Sequence, residues 1–397
     1  PPAERRIRYL LNRFEAGDLT AWHRINLEWV RTRIEKRNRP SFDELRSDLT
    51  LLPVWNALGS ELRARCIDAA ERYLKEGDPH LSEWFGTGIF HRVAAAGYRA
   101  LRLVLEQRPA VIEGWPPELW ARWVPVVIDW SWSYGKEEEQ LQQKEEQLQA
   151  SFVKEAYVRA PEALLSAVRD WLDRRDPERS IYTLTRKLVD CWDTRLVETV
   201  LGHVRANTRL KASHLGVLLD EVVPRSQEAV NVALQLVSSG ADGDEAEEMK
   251  LEAARALLDK APRAAWPQLW PIIEARPDFG EELIKRSVLY RLQSNELEKE
   301  FDEHSIADLY IWLERRFPPT DDKELKDFQL TGLLNRLLRE LKQRGTEAAV
   351  SAVQRIAEAL PDRGWLRLAV QQADEQRLRH EWQGIEPARL LEMAEGA

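Results

Sequence analysis

The sequence is poor in the residues that turns, strands and metal sites require. Only 18 of its 397 residues are glycine, and stretches of apolar–polar alternation are hard to find. A nearly all-α protein follows. Cysteine is scarcer still. Cys66 and Cys191 lie far apart inside apolar helical patterns, which is no disulfide framework and too little for a zinc ribbon. They read as buried, reduced, inert thiols, as suits a cytoplasmic protein. No run of about 18 apolar residues occurs, so no membrane-spanning helix is expected, and no secretory signal stands out. The chain begins at Pro1 rather than Met, which we read as the start of a part excised from something longer.

Catalytic patterns are missing too. Gly135-Lys136 lacks the upstream glycine and following hydroxyl of a P-loop, and Gly86-Thr87-Gly88 has no third glycine and follows no strand. The histidines, His23, His80, His91, His203, His214, His304 and His380, form no i, i+4 pair and no His-Glu-x-x-His. Cys191 with His203 is nominally a thiol and a base, but Cys191 reads as a packing residue beside Trp192. No catalytic, cofactor-binding or metal residue is therefore assigned. Net charge is −9, from 67 acidic against 58 basic residues, so no global field draws nucleic acid or an anionic membrane. The basic segments Arg5–Arg13 and Arg31–Arg39 carry no interleaved aromatics on the same face and read as solvated helix surface.

What is present is helical periodicity. Leu330, Leu333, Leu334, Leu337, Leu338 and Leu341 make one apolar stripe, with Asn335, Arg336, Arg339 and Glu340 turned outward. Gly345 suits a left-handed helix end, and Thr346 can cap the next helix, whose expected inner face is Val350, Val353, Ala357 and Leu360. Two striped helices joined so tightly should pack antiparallel. Most of the chain reads as variations on that hairpin, so the expected architecture is an all-α helical-repeat array, an α-solenoid of HEAT or TPR-like character.

Five expected regions follow. Residues 1–134 form a Trp-rich helical domain, and 135–151 a polar, exposed helix or insertion, since its two near-identical heptads offer only Leu141 and Leu148 as large apolar residues. Residues 152–237 and 249–397 carry further helical repeats. Between them, 238–248 reads as an acidic flexible linker. Ser239, Gly240, Asp242, Gly243, Asp244 and Glu245 are small or acidic, and Met249-Lys250 is a candidate protease-accessible bond.

The chain holds 16 tryptophans. Trp115, Trp120, Trp123, Trp130 and Trp132 are spaced as a helix interface and read first as core, with a partner-binding platform as the alternative. The stretch Trp123-Val124-Pro125-Val126-Val127-Ile128 is echoed by Leu269-Trp270-Pro271-Ile272-Ile273.

Five phrases stand out: Asp48-Leu49-Thr50-Leu51-Leu52-Pro53-Val54-Trp55, Gly97-Tyr98-Arg99-Ala100-Leu101, Asp308-Leu309-Tyr310-Ile311-Trp312-Leu313 through Arg316-Phe317-Pro318, Arg344-Gly345-Thr346-Glu347-Ala348, and Glu381-Trp382 with Leu390-Leu391. They resemble the helical region beyond the nucleotide-binding module of large bacterial NACHT-type (STAND) NTPases. The resemblance carries no catalytic motif, and the NTPase module is missing. It implies a sensor or scaffold region of an anti-phage defence protein, recognising a protein partner and relaying that to an effector. The alternatives are a nucleic-acid enzyme such as a HEAT-like DNA glycosylase, which would use a basic groove with Trp and Asp, or a structural subunit or protease-regulated substrate in a larger assembly.

Overall fold

The computed structural model describes residues 3–30, 46–87, 90–130, 139–173, 181–207, 210–289, 300–317 and 325–383. Every regular element among them is a helix, as the scarcity of glycine and of alternating patterns requires. No helix among them is long and apolar enough to cross a membrane. The chain divides into two units, residues 1–209 and 210–397.

Unit 1 holds α1 (Ala3–Glu15), α2 (Ala21–Val30), α3 (Pro53–Ala57), α4 (Ser60–Glu76), α5 (Leu81–Trp84), α6 (Arg92–Gln107), α7 (Pro109–Glu113) and α8 (Pro117–Asp129). It continues with α9 (Glu139–Arg159), α10 (Pro161–Asp173), α11 (Tyr182–Lys187) and α12 (Thr194–Ala206). The amphipathic rule places α1, whose Ile7, Leu10, Leu11 and Phe14 are all buried. Helix α6 is different, because every residue from Ala94 to Val104 is buried. A helix buried all round is a core helix, and α2, α4, α7 and α8 pack on it.

Unit 2 holds α13 (Ala212–Val222), α14 (Gln227–Val237), α15 (Asp244–Lys260), α16 (Pro262–Ala275), α17 (Pro277–Ile284), then a π-helical turn over Lys285–Leu289. After it come α18 (Glu303–Arg316), α19 (Leu325–Arg344), α20 (Glu347–Ala359) and α21 (Leu366–Gln383). Helices pack on sequence neighbours and on next-but-one neighbours: α13 on α15, α14 on α16, α18 on α20, α19 on α21. Packing of this kind makes the unit an all-α array of neighbouring helices.

The hairpin of α19 and α20 follows the sequence closely. Leu333, Leu337 and Leu341 are fully buried. Gly345 takes φ +63°, and the Thr346 hydroxyl accepts the Ala349 N–H at 3.1 Å. The buried face of α20 differs, being Ala349, Ala352, Val353 and Ile356 rather than Val350, Ala357 and Leu360. Val350, Ala357 and Leu360 sit at the half-buried margin of that face.

Two expected boundaries are corrected. Residues 238–248 do not separate two units, because the division falls at Arg209–Leu210. Only a short turn, 238–243, lies between α14 and α15, and both helices pack together. Asp244 to Lys250 are the opening turns of α15, where acidic side chains favour the positive end of the helix dipole. The polar heptads, for their described part from residue 139, are no exposed insertion either. Glu145 and Gln149 of α9 are almost wholly buried, alongside Phe152, Val153 and Ala156.

Candidate functional site

The candidate aromatics of the sequence do not form a platform. Trp115, Trp120, Trp123 and Trp130 are each under 5% exposed, and Trp132 lies outside the described residues. Trp115 and Trp120 meet edge to face at 5.5 Å. The Trp123 indole N–H donates to the Leu74 carbonyl at 2.8 Å, and its ring fills the space a side chain would need at Gly97. Trp130 stacks on Tyr98 at 6.0 Å. These rings are core, and a partner cannot reach them.

Of the linker candidates, Glu245 and Lys250 are tied into the fold, while Gly240, Asp242, Gly243 and Asp244 are exposed. Ser239, Gly240, Asp242 and Gly243 lie in the turn, and Gly243 has φ +111°. Asp244 opens α15, and the Glu245 carboxylate accepts the Ala212 N–H at 2.8 Å, across to α13. Met249 is half-buried. Lys250 is 6% exposed, and its ammonium donates to the Ala241 carbonyl at 2.7 Å and to Glu247 at 2.8 Å. The Met249–Lys250 bond is helical with a buried lysine, which is a poor protease substrate.

The densest cluster of ionisable groups lies in unit 1. Arg102 of α6 pairs with Glu145 of α9, with Asp48 at 2.7 Å and with Glu106 at 3.4 Å. The Tyr98 hydroxyl donates to Glu145 at 3.0 Å, and Thr50 donates to Asp48 from both backbone and hydroxyl. Burial opposes charge on Arg102, but Glu145 and Asp48 outweigh it and raise its pKa. Burial also opposes charge on Asp48, yet the Thr50 hydroxyl and Arg102 hold its carboxyl below the usual range. Burial and the Asp48 charge push Glu106 up. Nearby, Gln149 donates to the Val127 and Trp130 carbonyls, and Lys187 to those of Ile128 and Trp130. These donors satisfy the C-terminal carbonyls of α8. Arg102, Glu145 and Asp48 are all under 5% exposed, so the cluster is a buried tie between helices.

The thiols are inert. Burial pushes both Cys66 and Cys191 up to about 12, far from thiolate at neutral pH. His203 hydrogen-bonds Asp173 at 2.9 Å. Among the described residues no group of three His, Cys, Asp or Glu is placed to hold a metal ion.

A concave surface does open in unit 2, as a groove of about 480 Å³ lined from α16, α18 and α20 and by Pro277 at the start of α17. Trp270 and Trp312 form its half-buried aromatic walls, with Ile311 and Pro277 beside them. Trp270 is held by Trp266 at 5.1 Å, which in turn packs on Phe301 at 4.5 Å. Trp312 lies against Gly280 of α17, where a Cβ would come within 3.0 Å of the indole. Arg316 pairs with Asp278 at 2.5 Å and Glu281 at 2.8 Å. Arg355 of α20 pairs with Asp308, which His304 also approaches at 3.5 Å. Arg315 and Glu274 are exposed lining residues with no ion-pair partner among the described residues.

Sequence reasoning passed over this groove because Trp270 and Trp312 sit in ordinary amphipathic helices. The available signal was the echo at Leu269-Trp270-Pro271, which puts an indole where the first copy has Val124. In comparison with known proteins, the chain matches no protein-family model, no curated protein and no solved structure.

Proposed function

We propose that the chain is a non-enzymatic protein-recognition or scaffold region on an all-α helical-repeat array of HEAT or TPR-like character. The groove of unit 2 carries this reading. Half-buried indoles beside arginines are the side chains that dominate protein–protein hot spots, and they are held here by Trp266 and Gly280. Service as a sensor in a bacterial anti-phage system, in the cytoplasm, is supported by the resemblance to the helical regions of NACHT-type NTPases.

The test is site-specific photo-crosslinking in lysate of the native host. p-Benzoyl-phenylalanine in place of groove residue Ala359 is expected to capture a discrete protein. The same group in place of exposed Val158 of α9 is expected to capture none. Equal, diffuse capture at both positions would count against recognition by this groove.

A second reading, a nucleic-acid enzyme, is favoured by one observation: Trp270, Trp312 and Asp308 share a groove with three arginines. Against it, the Asp308 carboxylate is engaged by Arg355 and is not poised over an open floor. Salt-dependent binding of duplex DNA, lost in Arg315→Glu, would promote it.

A further inference from the structure

We infer that the groove between α16, α18 and α20 binds an extended acidic peptide segment of a protein partner, with Arg315 as the residue that selects its charge. The inference rests on the protein-recognition reading and names the chemistry of the partner. The charged lining residues are Arg315, Arg316 and Arg355 with Glu274 and Asp308, and all but Arg315 and Glu274 are tied up in ion pairs.

The individual commitments sharpen the point. Arg316 is neutralised by Asp278 and Glu281, and Arg355 by Asp308. Arg315, one residue along α18 and exposed, has no carboxylate partner among the described residues. Its planar fork is suited to a carboxylate, and the partner would supply it. Neither the Trp270 nor the Trp312 indole N–H has a hydrogen-bond acceptor among the described residues, and neither is a buried unsatisfied group. Both are therefore open donors, able to take the backbone carbonyls or carboxylates of an extended chain. The ring faces supply an apolar wall for one anchoring side chain. A groove offering two donors, one unpaired cation and two aromatic walls matches a segment that pairs Asp or Glu with an apolar anchor.

Charge also sets direction. Exposed Glu274 disfavours a carboxylate at the α16 side, so the acidic residue lies at the α18 side beside Arg315.

The experiment uses the full chain and two fluorescein-labelled pools of ten-residue peptides that share fixed Leu and Phe anchors. One pool carries Asp and Glu at its polar positions, the other Lys and Arg. Single-stranded and duplex oligonucleotides form the third and fourth arms. Fluorescence anisotropy is expected to show the acidic pool binding at least about tenfold more tightly than the basic one, with affinity falling as salt rises. Arg315→Glu should reverse the preference, and Trp312→Ala should weaken both pools about tenfold. Arg315 is exposed, so its replacement should leave the helical circular dichroism spectrum and melting temperature unchanged. Equal binding of both pools, or a preference that survives Arg315→Glu, would overturn the inference while leaving peptide recognition standing. Binding of an oligonucleotide with Arg315-dependence, and of neither pool, would overturn the protein-recognition reading as well. Binding in no arm would overturn the acidic-peptide assignment.

Discussion

Helices α8 and α16 carry the same local phrase in the same register and use it differently. With Pro125 set against Pro271, Trp123 matches Leu269 and Val127 matches Ile273, and all four are buried in full or nearly so. The other positions part company. Val124 and Val126 are about 1% exposed or less, while Trp270 and Ile272 are half-buried and Pro271 is exposed. The neighbours explain this. In unit 1, α8 packs on α6, α9, α10 and α11, whereas in unit 2, among the described residues, α16 packs chiefly on α14, α15 and α17. A repeated phrase therefore fixes which face turns inward. Whether the other face becomes core or groove is decided by which further helices pack against it.

The comparison breaks most sharply at its two indoles. Trp123→Ala should cost about 3–5 kcal/mol in urea denaturation, since it empties a core site that Gly97 is shaped to admit. Trp270→Ala should cost about 1 kcal/mol or less, because its ring is already partly in water. Similar costs at the two sites would mean that the groove wall is core.

A second contrast sets the polar helix α9 against the acidic start of α15. Glu145→Ala leaves Arg102 short of one partner in a dry site and should cost about 3 kcal/mol. Glu248→Ala, which breaks a partly exposed pair with Arg286, should cost under about 1 kcal/mol.

A smaller effect follows from His23, which burial and the charges of His80 and His91 push down to about 4. Unfolded histidine takes up its proton near pH 6.5, so between about 4 and 6.5 the unfolded chain binds more protons. Stability should rise with pH across that window and fall on acidification. His23→Gln should flatten the slope in thermal melts, and an unchanged slope would assign it elsewhere.

The smallest effect concerns the turn at 238–243. Trypsin should leave Lys250 uncut in the native chain, and an Asp-specific protease should cut first near Asp242. Early cleavage after Lys250 would show that α15 frays at its start.

The sequence carried the helices whose stripes are purely apolar, as in Leu333, Leu337 and Leu341. It carried the cap at Gly345-Thr346 for the same reason: the signal is local. Helix α9 was opaque because its stripe of Glu145, Gln149, Phe152, Val153 and Ala156 is half polar. Its burial depends on Arg102, which lies 43 residues away. The spacing of i, i+4, i+7, i+8 and i+11 was legible, but the partner that makes it a core face was not. The turn at 238–243 misled for the opposite reason. The composition of 238–248 is that of a linker, yet Glu245, Glu247 and Glu248, in the first turns of α15, each find a partner outside that helix that composition cannot reveal. The groove was the least legible part, because it is defined by which indole is left uncovered.

Solvent isotope shifts in 19F NMR test that distinction most directly. The chain would be labelled with 5-fluorotryptophan, with resonances assigned by single Trp→Phe replacements. On exchange from H2O to D2O, Trp270 and Trp312 should shift, while Trp120 and Trp123 should stay in place. Shifts at Trp120 and Trp123, or silence at Trp270 and Trp312, would contradict the assignment of the first pair to core and the second to the groove.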